Sequence, residues 1–351
     1  MARSHLSGVR IAGIVSALPA TQATGVELAE RFGVDAAERI IKATGIVRRP
    51  LAGDGQCTSD LATAAAEALL SGLGWARSGI TLLLMVSQTH DHSLPATSVL
   101  LQHRLGLERS TAAFDLGLGC SGYVYGLWVA SALLAALPAG SRALLLAGDT
   151  TSRYLDPNDR ATVPLFGDAA TATALERDDT APPMFFDLGS DGAGAPYLMV
   201  QGGGMRAPAA PATLFMDGTQ VFAFTLREVP PSLRATLEAA GWSLDTVDHV
   251  VLHQANAQMI RHLGQRLGAR PEQMVLALAD TGNTSSASIP LALCHTLAHT
   301  TQSVRLLLSG FGVGWSWASA ALTCPPLAVC TILTCAVPPG PPALSPHAPG
   351  S

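Results

Sequence analysis

Residues 112–123 read Ala112-Ala-Phe-Asp115-Leu-Gly-Leu-Gly-Cys120-Ser-Gly-Tyr123: a short apolar run, a glycine-spaced turn holding a cysteine, then the start of an apolar helical stretch. A strand, turn and helix in that order put Cys120 where the first amides of a helix lack an intrahelical acceptor and the helix dipole is positive. Both effects favour thiolate over thiol, so the position predicts a nucleophile. Gly117, Gly119 and Gly122 would let a bound group approach the backbone. The same string also suits a buried structural cysteine, and alone it does not separate the two.

Outward from this turn, short apolar runs alternate with longer alanine- and leucine-rich segments, the pattern of a layered α/β chain. Strands are predicted over 9–15, 80–87, 112–116, 143–147 and 170–174, with helices over 59–70, 96–105 and 121–137. After Pro182-Pro183 a similar series begins again: strands over 184–188, 249–252, 304–308 and 315–322, a further extended segment over 274–278, and helices over 221–240, 256–267 and 288–300. The expectation is two pseudo-duplicated α/β halves, 1–178 with the cysteine and 179–323 with the segments described next. Residues 324–351, with Pro-Pro-Gly-Pro-Pro at 338–342, read as a disordered proline-rich tail.

Of 351 residues, 48% are hydrophobic and only 13% charged, about half the usual charged share. A surface so poor in charge is best explained if part of it is covered in an oligomer. The net charge of -5 gives no reason to expect nucleic acid or an anionic membrane as partner. Residues 8–18 are too broken by glycine and serine for a secretory signal, so a cytoplasmic location is expected. Pro325 and Pro326 interrupt the apolar stretch over 318–337, which therefore does not read as a membrane span. Six cysteines show no pair repeated at ligand spacing, and His90-Asp91-His92 has no third clear ligand, so no metal site is expected.

Three further segments bear chemistry. Val250-Val-Leu-His253-Gln-Ala-Asn256 delivers a histidine from an apolar strand into a polar turn, where a hydrogen-bonded core histidine is the competing reading. Asp280-Thr-Gly-Asn283-Thr-Ser-Ser places Asn283 in a glycine turn, which an Asx-turn or helix cap would also explain. Leu308-Ser-Gly-Phe311-Gly-Val-Gly314 is a glycine turn able to aim an amide at an oxyanion.

Together these segments resemble the ketoacyl synthase III family of the thiolase-fold superfamily. The cysteine loop, Leu165-Phe-Gly-Asp168, His253-Gln-Ala-Asn256, Gly282-Asn-Thr-Ser285 and Phe311-Gly-Val-Gly314 follow the family's order between about Val9 and Leu322. The resemblance implies a thiolase-like five-layer αβαβα fold, a homodimer, and no tightly bound cofactor. It implies that Cys120 accepts an acyl group from acyl-coenzyme A or an acyl carrier protein. A malonyl thioester is then decarboxylated and condensed onto that group to give a β-ketoacyl product in fatty acid or polyketide biosynthesis. His253 and Asn283 would hold the enolate, and the amides of Cys120 and Val313 the acyl oxyanion. Phe311, Leu94 and Phe222 would shape the gate and pocket, Leu94 reaching across the dimer. Arg160, Thr219, Asn256, Arg261 and Arg266 would meet the carrier or coenzyme A.

The chain departs from the family at the donor site. Arg39 stands where coenzyme A users carry an adenine-stacking tryptophan, Ala43 replaces an arginine before Thr44-Gly-Ile46, and Gln258 replaces another arginine. These losses shift the expected donor toward a carrier protein docked on Arg261, Arg266 and Arg270. The alternatives are acyl transfer to a small hydroxyl or amine, condensation of two acyl chains without decarboxylation, and a non-catalytic synthase subunit.

Overall fold

The structure, a computed structural model, describes residues 2–336; the proline run at 338–342 lies outside the described residues. Six strands form one sheet: β2 (Val9–Pro19), β5 (Ile80–Val86), β6 (Ala112–Leu116), β7 (Arg142–Asp149), β8 (Ala169–Arg177) and β15 (Val329–Cys335), in the order β15-β2-β8-β7-β5-β6. β5 runs parallel to both β6 and β7. Covered on both faces, it needs no polar alternation, and all its residues but Thr81 are buried. Five strands form the second sheet: β1 (Ala2–Leu6), β9 (Met184–Ser190), β12 (His249–Leu252), β13 (Val304–Gly312) and β14 (Ser316–Cys324), in the order β1-β9-β14-β13-β12.

Between the sheets lie α5 (Gly122–Ala135) and α8 (Ser288–Leu297). α5 is apolar all round, the composition of a helix buried on every side. Its Val124, Leu127 and Leu134 share one core with Leu145 of β7 and Leu306 and Leu308 of β13. α3 (Thr58–Leu73) and α4 (Thr97–Arg104) cover the outer face of the first sheet. α6 (Gly218–Ala240) covers the second, with α7 (Ala257–Leu267) beside it. The result is the expected thiolase-like α/β fold with layers in the order αβαβα. Among the described residues no helix is long and apolar enough to cross a membrane.

Two expectations need correction. The tail read as disordered from 324 supplies β15, which pairs in parallel with β2 from Val329↔Gly13 to Cys335↔Pro19. Its Val-Cys-Thr-Ile-Leu-Thr-Cys run is rich in β-branched residues, but flanking prolines masked that signal. Room for it is built into β2 and the covering helix over 58–73: a Cβ on Gly13 would lie 2.9 Å from the Val329 carbonyl oxygen, and one on Gly72 2.8 Å from Val329 Cγ2. Nor do the sheets divide at 178/179, because β1 joins the second and β15 the first. Each terminus thus straps its strand onto the sheet built mainly by the other half.

The segment over 274–278 forms no strand, only a single bridge from Met274 to Val250. Several short elements were not foreseen: α1 (Gly25–Phe32), α2 (Val34–Thr44), the pair β3 (Gln22–Thr24) and β4 (Arg48–Pro50), and the pair β10 (Leu198–Val200) and β11 (Leu214–Met216). α2 matters most, because it carries Arg39 and Ala43 to the mouth of the cavity described below.

Candidate active site

Cys120 sits in the turn between β6 and α5, closed by the Gly122 amide donating to the Gly119 carbonyl at 2.7 Å. The end of β13 packs against it. A Cβ on Gly310 would lie 2.6 Å from the Cys120 carbonyl oxygen, and one on Gly312 3.0 Å from its Sγ, so only glycine permits this approach. The backbone amides of Cys120 and Val313 both point at the sulfur. The thiol is nevertheless pushed up to about 12 by burial, with the nearby Asp149 carboxylate adding to the rise; the Ser285 hydroxyl and the two amides pull the other way. The expectation that the turn alone favours thiolate is therefore corrected: desolvation outweighs the helix end.

His253 follows β12. Its amide donates to the Ser309 carbonyl at 2.8 Å, and its Nδ1 lies 2.7 Å from Ser288 Oγ at the start of α8. Its ring meets Phe311 edge-on, with centroids 5.5 Å apart. Full burial lowers its pKa to about 3, so the imidazole is neutral at pH 7. Asn283 is gripped through its backbone: its amide donates to the Leu165 carbonyl at 2.8 Å and its carbonyl accepts from Gly167 at 3.0 Å. Its Oδ1 accepts the Ser285 amide at 2.9 Å, which leaves the carboxamide N–H groups for the cavity.

This grip explains Leu165-Phe-Gly-Asp168. A Cβ on Gly167 would lie 2.2 Å from the Thr281 carbonyl oxygen, and buried Asp168 accepts from the Ala52 and Ser152 amides at 2.8 and 3.0 Å. On the other side of the loop, Asp149 accepts from Ser286 Oγ at 2.7 Å and from the Gln88 amide at 2.7 Å. Ser288, Asp149 and Gln88 were missed from sequence. Only Asp149 left a signal there, as a carboxylate ending the apolar run of β7.

A cavity of about 430 Å³ leads inward to Cys120, His253, Asn283 and Phe311. Its outer walls include Arg39, Arg160, Asn256 and Gln258. Asn256 also caps α7, its Oδ1 accepting from Met259 at 2.8 Å, and the Arg160 guanidinium lies 5.5 Å from the Phe32 ring centre. A second cavity of about 290 Å³ also reaches Cys120 and is lined in part by Val313. Thr219 and Phe222, in the first turns of α6, line neither; Phe222 packs instead on His262, 5.5 Å between centroids. Leu94 is 81% exposed and away from both cavities of its own chain.

Lys42, Arg261 and His262 share a shallow groove with Ala43 and Gln258 of the mouth. Among the described residues Arg261 and Arg266 form no salt bridge, whereas Arg270 is engaged by Asp245 and Glu272, both at 3.0 Å, and is not a free docking cation. Asp91, of the His90-Asp91-His92 string, accepts from Ser59 Oγ at 2.7 Å. Among the described residues no group of three or more His, Cys, Asp or Glu is placed to hold a metal ion.

Chemically, the site offers a thiol with two amides aimed at it, and beside it two neutral side chains able to donate hydrogen bonds. The profile described as 3-oxoacyl-[acyl-carrier-protein (ACP)] synthase III matches residues 114–192, and that of its C terminal matches 237–324. The chain is 40% identical over 326 residues to β-ketoacyl-[acyl-carrier-protein] synthase III 2 of Streptomyces coelicolor, covering 92% of this chain and 95% of the relative. Among solved structures it is similar to a 3-oxoacyl-(acyl-carrier protein) synthase from Burkholderia xenovorans, with a TM-score of 0.91, 40% identity and coverage of 95% and 99% of the two chains. It is also similar to the priming β-ketosynthase of the R1128 polyketide biosynthetic pathway, with a TM-score of 0.82, 28% identity and coverage of 92% and 97%. This chain is an enzyme of the β-ketoacyl-[acyl-carrier-protein] synthase III family.

Proposed function

We propose that the chain catalyses decarboxylative condensation, with Cys120 as acyl acceptor and His253 and Asn283 as enolate donors. The observation that carries this is the pair of fixed, neutral donors beside the thiol. We assign the Ser288 hydroxyl, 2.7 Å from Nδ1 of His253, as the donor of that bond, which puts the ring proton on Nε2. The Asn283 oxygen is occupied, so its N–H groups are the ones presented. Acyl transfer to a thiol needs little beyond the thiol and an oxyanion site, whereas an enolate needs donors of its own.

In the first half-reaction the sulfur of Cys120 attacks the donor thioester, whose oxygen takes hydrogen bonds from the amides of Cys120 and Val313. The donor's C–S bond breaks and the thiol proton leaves on the released carrier thiol. A malonyl thioester then enters and loses carbon dioxide, its developing enolate oxygen held by His253 and Asn283. The enolate carbon bonds to the acyl carbonyl carbon, the Cys120 sulfur departs as thiolate and takes a proton from solvent to restore the thiol, and a β-ketoacyl thioester remains. Phe311, 2% exposed and edge-on to His253, shields the sulfur and limits where the malonyl group can lie.

The donor is read as an acyl carrier protein. Lys42 and Arg261 flank the mouth, and Arg39 and Arg160 stand within it, a set of cations suited to an acidic helix and a phosphate-bearing arm. Arg266 is exposed farther along α7, and Thr219 is exposed at the start of α6. The acting species is read as a homodimer: β6 is an unpaired sheet edge, and Leu94 projects from the same half of the chain. The priming role named for the R1128 synthase favours an early step in fatty acid or polyketide assembly.

The test is intact-mass analysis after exposure to acyl thioesters, followed by addition of labelled malonyl thioester. The expected result is an acyl adduct lost in Cys120→Ala, then release of labelled carbon dioxide with a two-carbon-longer product. Loading without carbon dioxide release would favour transfer to another acceptor.

A further inference from the structure

We propose that the cavity behind Cys120 selects a short acyl chain bearing an oxygen on its third carbon, in preference to a plain alkyl chain. This rests on the reading of Cys120 as acyl acceptor. The cavity of about 290 Å³ holds three polar side chains whose ends have no hydrogen-bond partner among the described residues: the Gln88 carboxamide, the Thr151 hydroxyl and the Tyr154 phenol. None of these atoms is sealed within the protein, and all three residues line the cavity, so their free valences open into it. Thr151 is itself only 8% exposed, which makes its hydroxyl part of the cavity rather than of the outer surface.

Gln88 sets the position of the oxygen. Its Oε1 would lie 2.3 Å from a Cβ on Gly119, so the carboxamide occupies space that glycine leaves open next to Cys120. Its amide is pinned by Asp149 at 2.7 Å, which fixes where the side chain starts. A polar group placed this close to the nucleophile meets the first carbons of the acyl chain, not its end. Leu198 and Leu214 give the same cavity an apolar wall suited to a short terminal alkyl group.

An alkyl chain filling this space would strip water from three polar groups and return no hydrogen bond. A hydroxyl or carbonyl on the third carbon would replace the lost water, and at about 1.4 kcal/mol per tenfold a single recovered bond corresponds to roughly a tenfold preference.

The experiment compares two thioesters of N-acetylcysteamine that differ by one group, 3-hydroxybutyryl (both enantiomers) and 3-methylbutyryl, in which a methyl replaces the hydroxyl. Loading forms the Cys120 thioester and releases the cysteamine thiol with the proton, and intact mass follows its rate. The wild-type protein should load one 3-hydroxybutyryl enantiomer at least tenfold faster, and the near-isosteric changes Gln88→Met and Thr151→Val should together bring the ratio close to one. Equal or faster loading of 3-methylbutyryl by wild type overturns the proposal without any variant, as does a ratio that survives both substitutions. If no acyl thioester of any kind leaves an adduct on Cys120, the acyl-acceptor reading falls and takes this one with it. If simple alkyl groups load well and the oxygenated pair shows no preference, only the specificity is wrong.

Discussion

His253 should make the fold acid-sensitive in a way that one substitution removes. Burial holds the folded imidazole at about 3, while in the unfolded chain it titrates near the ordinary value of about 6.5. Between those values the unfolded state binds a proton that the folded state refuses. Stability from this residue is therefore fully present above pH 6.5 and is lost as the pH falls below it. At pH 5 the unfolded histidine has gained about 1.5 pH units of protonation free energy, or roughly 2 kcal/mol, and at pH 7.5 almost none. Going from pH 7.5 to pH 5 should thus cost the wild-type protein about 2 kcal/mol more than it costs His253→Gln, where nothing titrates. Urea unfolding at fixed protein concentration, at both pH values for both proteins, reads the difference between those losses, so other acid-labile groups cancel. Equal losses would mean that His253 is solvated and titrates in the folded protein as it does in the unfolded chain, a smaller loss in wild type would mean that it is charged when folded, and either result would remove the neutral-donor role assigned to it.

Three other outcomes follow from the same geometry. Ser288→Ala removes the hydroxyl that lies 2.7 Å from His253 Nδ1, and should slow condensation by roughly tenfold or more while leaving Cys120 loading much less affected; equal losses in the two half-reactions, measured separately, would count against it. With the Cys120 thiol at about 12, its reaction with iodoacetamide should rise about tenfold per pH unit from pH 7 to 10, whereas a plateau below pH 9 would reveal a stabilised thiolate. Gly13→Ala places a Cβ 2.9 Å from the Val329 carbonyl oxygen and should destabilise the protein by about 1–3 kcal/mol through displacement of β15; an unchanged unfolding midpoint would show that the strand is not docked in solution.

The layered core was legible because its signals are continuous. The run Ile80-Thr-Leu-Leu-Leu-Met-Val tolerates one polar residue in seven, and the α5 stretch is apolar on every face, so both announce burial whatever their neighbours do. β15 was not legible for the opposite reason: its seven residues sit between Pro325-Pro326 and the prolines from 338, and composition over a window dilutes them. The information that β15 docks is carried elsewhere, by Gly13 and Gly72, and a glycine does not say in sequence what it makes room for. α1 and α2 are short and charged and bury one residue each, Leu28 and Ala37, so neither contributes a run of core residues like those that announce the buried elements.

At the site, sequence exposed the groups that carry chemistry but not those that hold them. Cys120, His253 and Asn283 were legible through the order of the motifs that carry them, because each alone also suits a structural role, as the Ser285 amide bonded to Asn283 Oδ1 illustrates. Their supports lie far off along the chain: Ser288 is 35 residues from His253, and Asp149 is 137 residues from Ser286. Asn283 depends on Leu165 and Gly167, which belong to the other half of the chain. The loop that presents Asn283 is thus bound to the half that carries Cys120, through Gly167 on one side and Asp149 on the other. A change at Gly167, which touches no substrate, should therefore disturb Asn283 and condensation before it disturbs acylation of Cys120. The pairing of Leu-Phe-Gly-Asp with Gly-Asn-Thr-Ser is accordingly a mechanical link between the Asn283 loop and the half of the chain that carries Cys120, and neither motif is intelligible by itself.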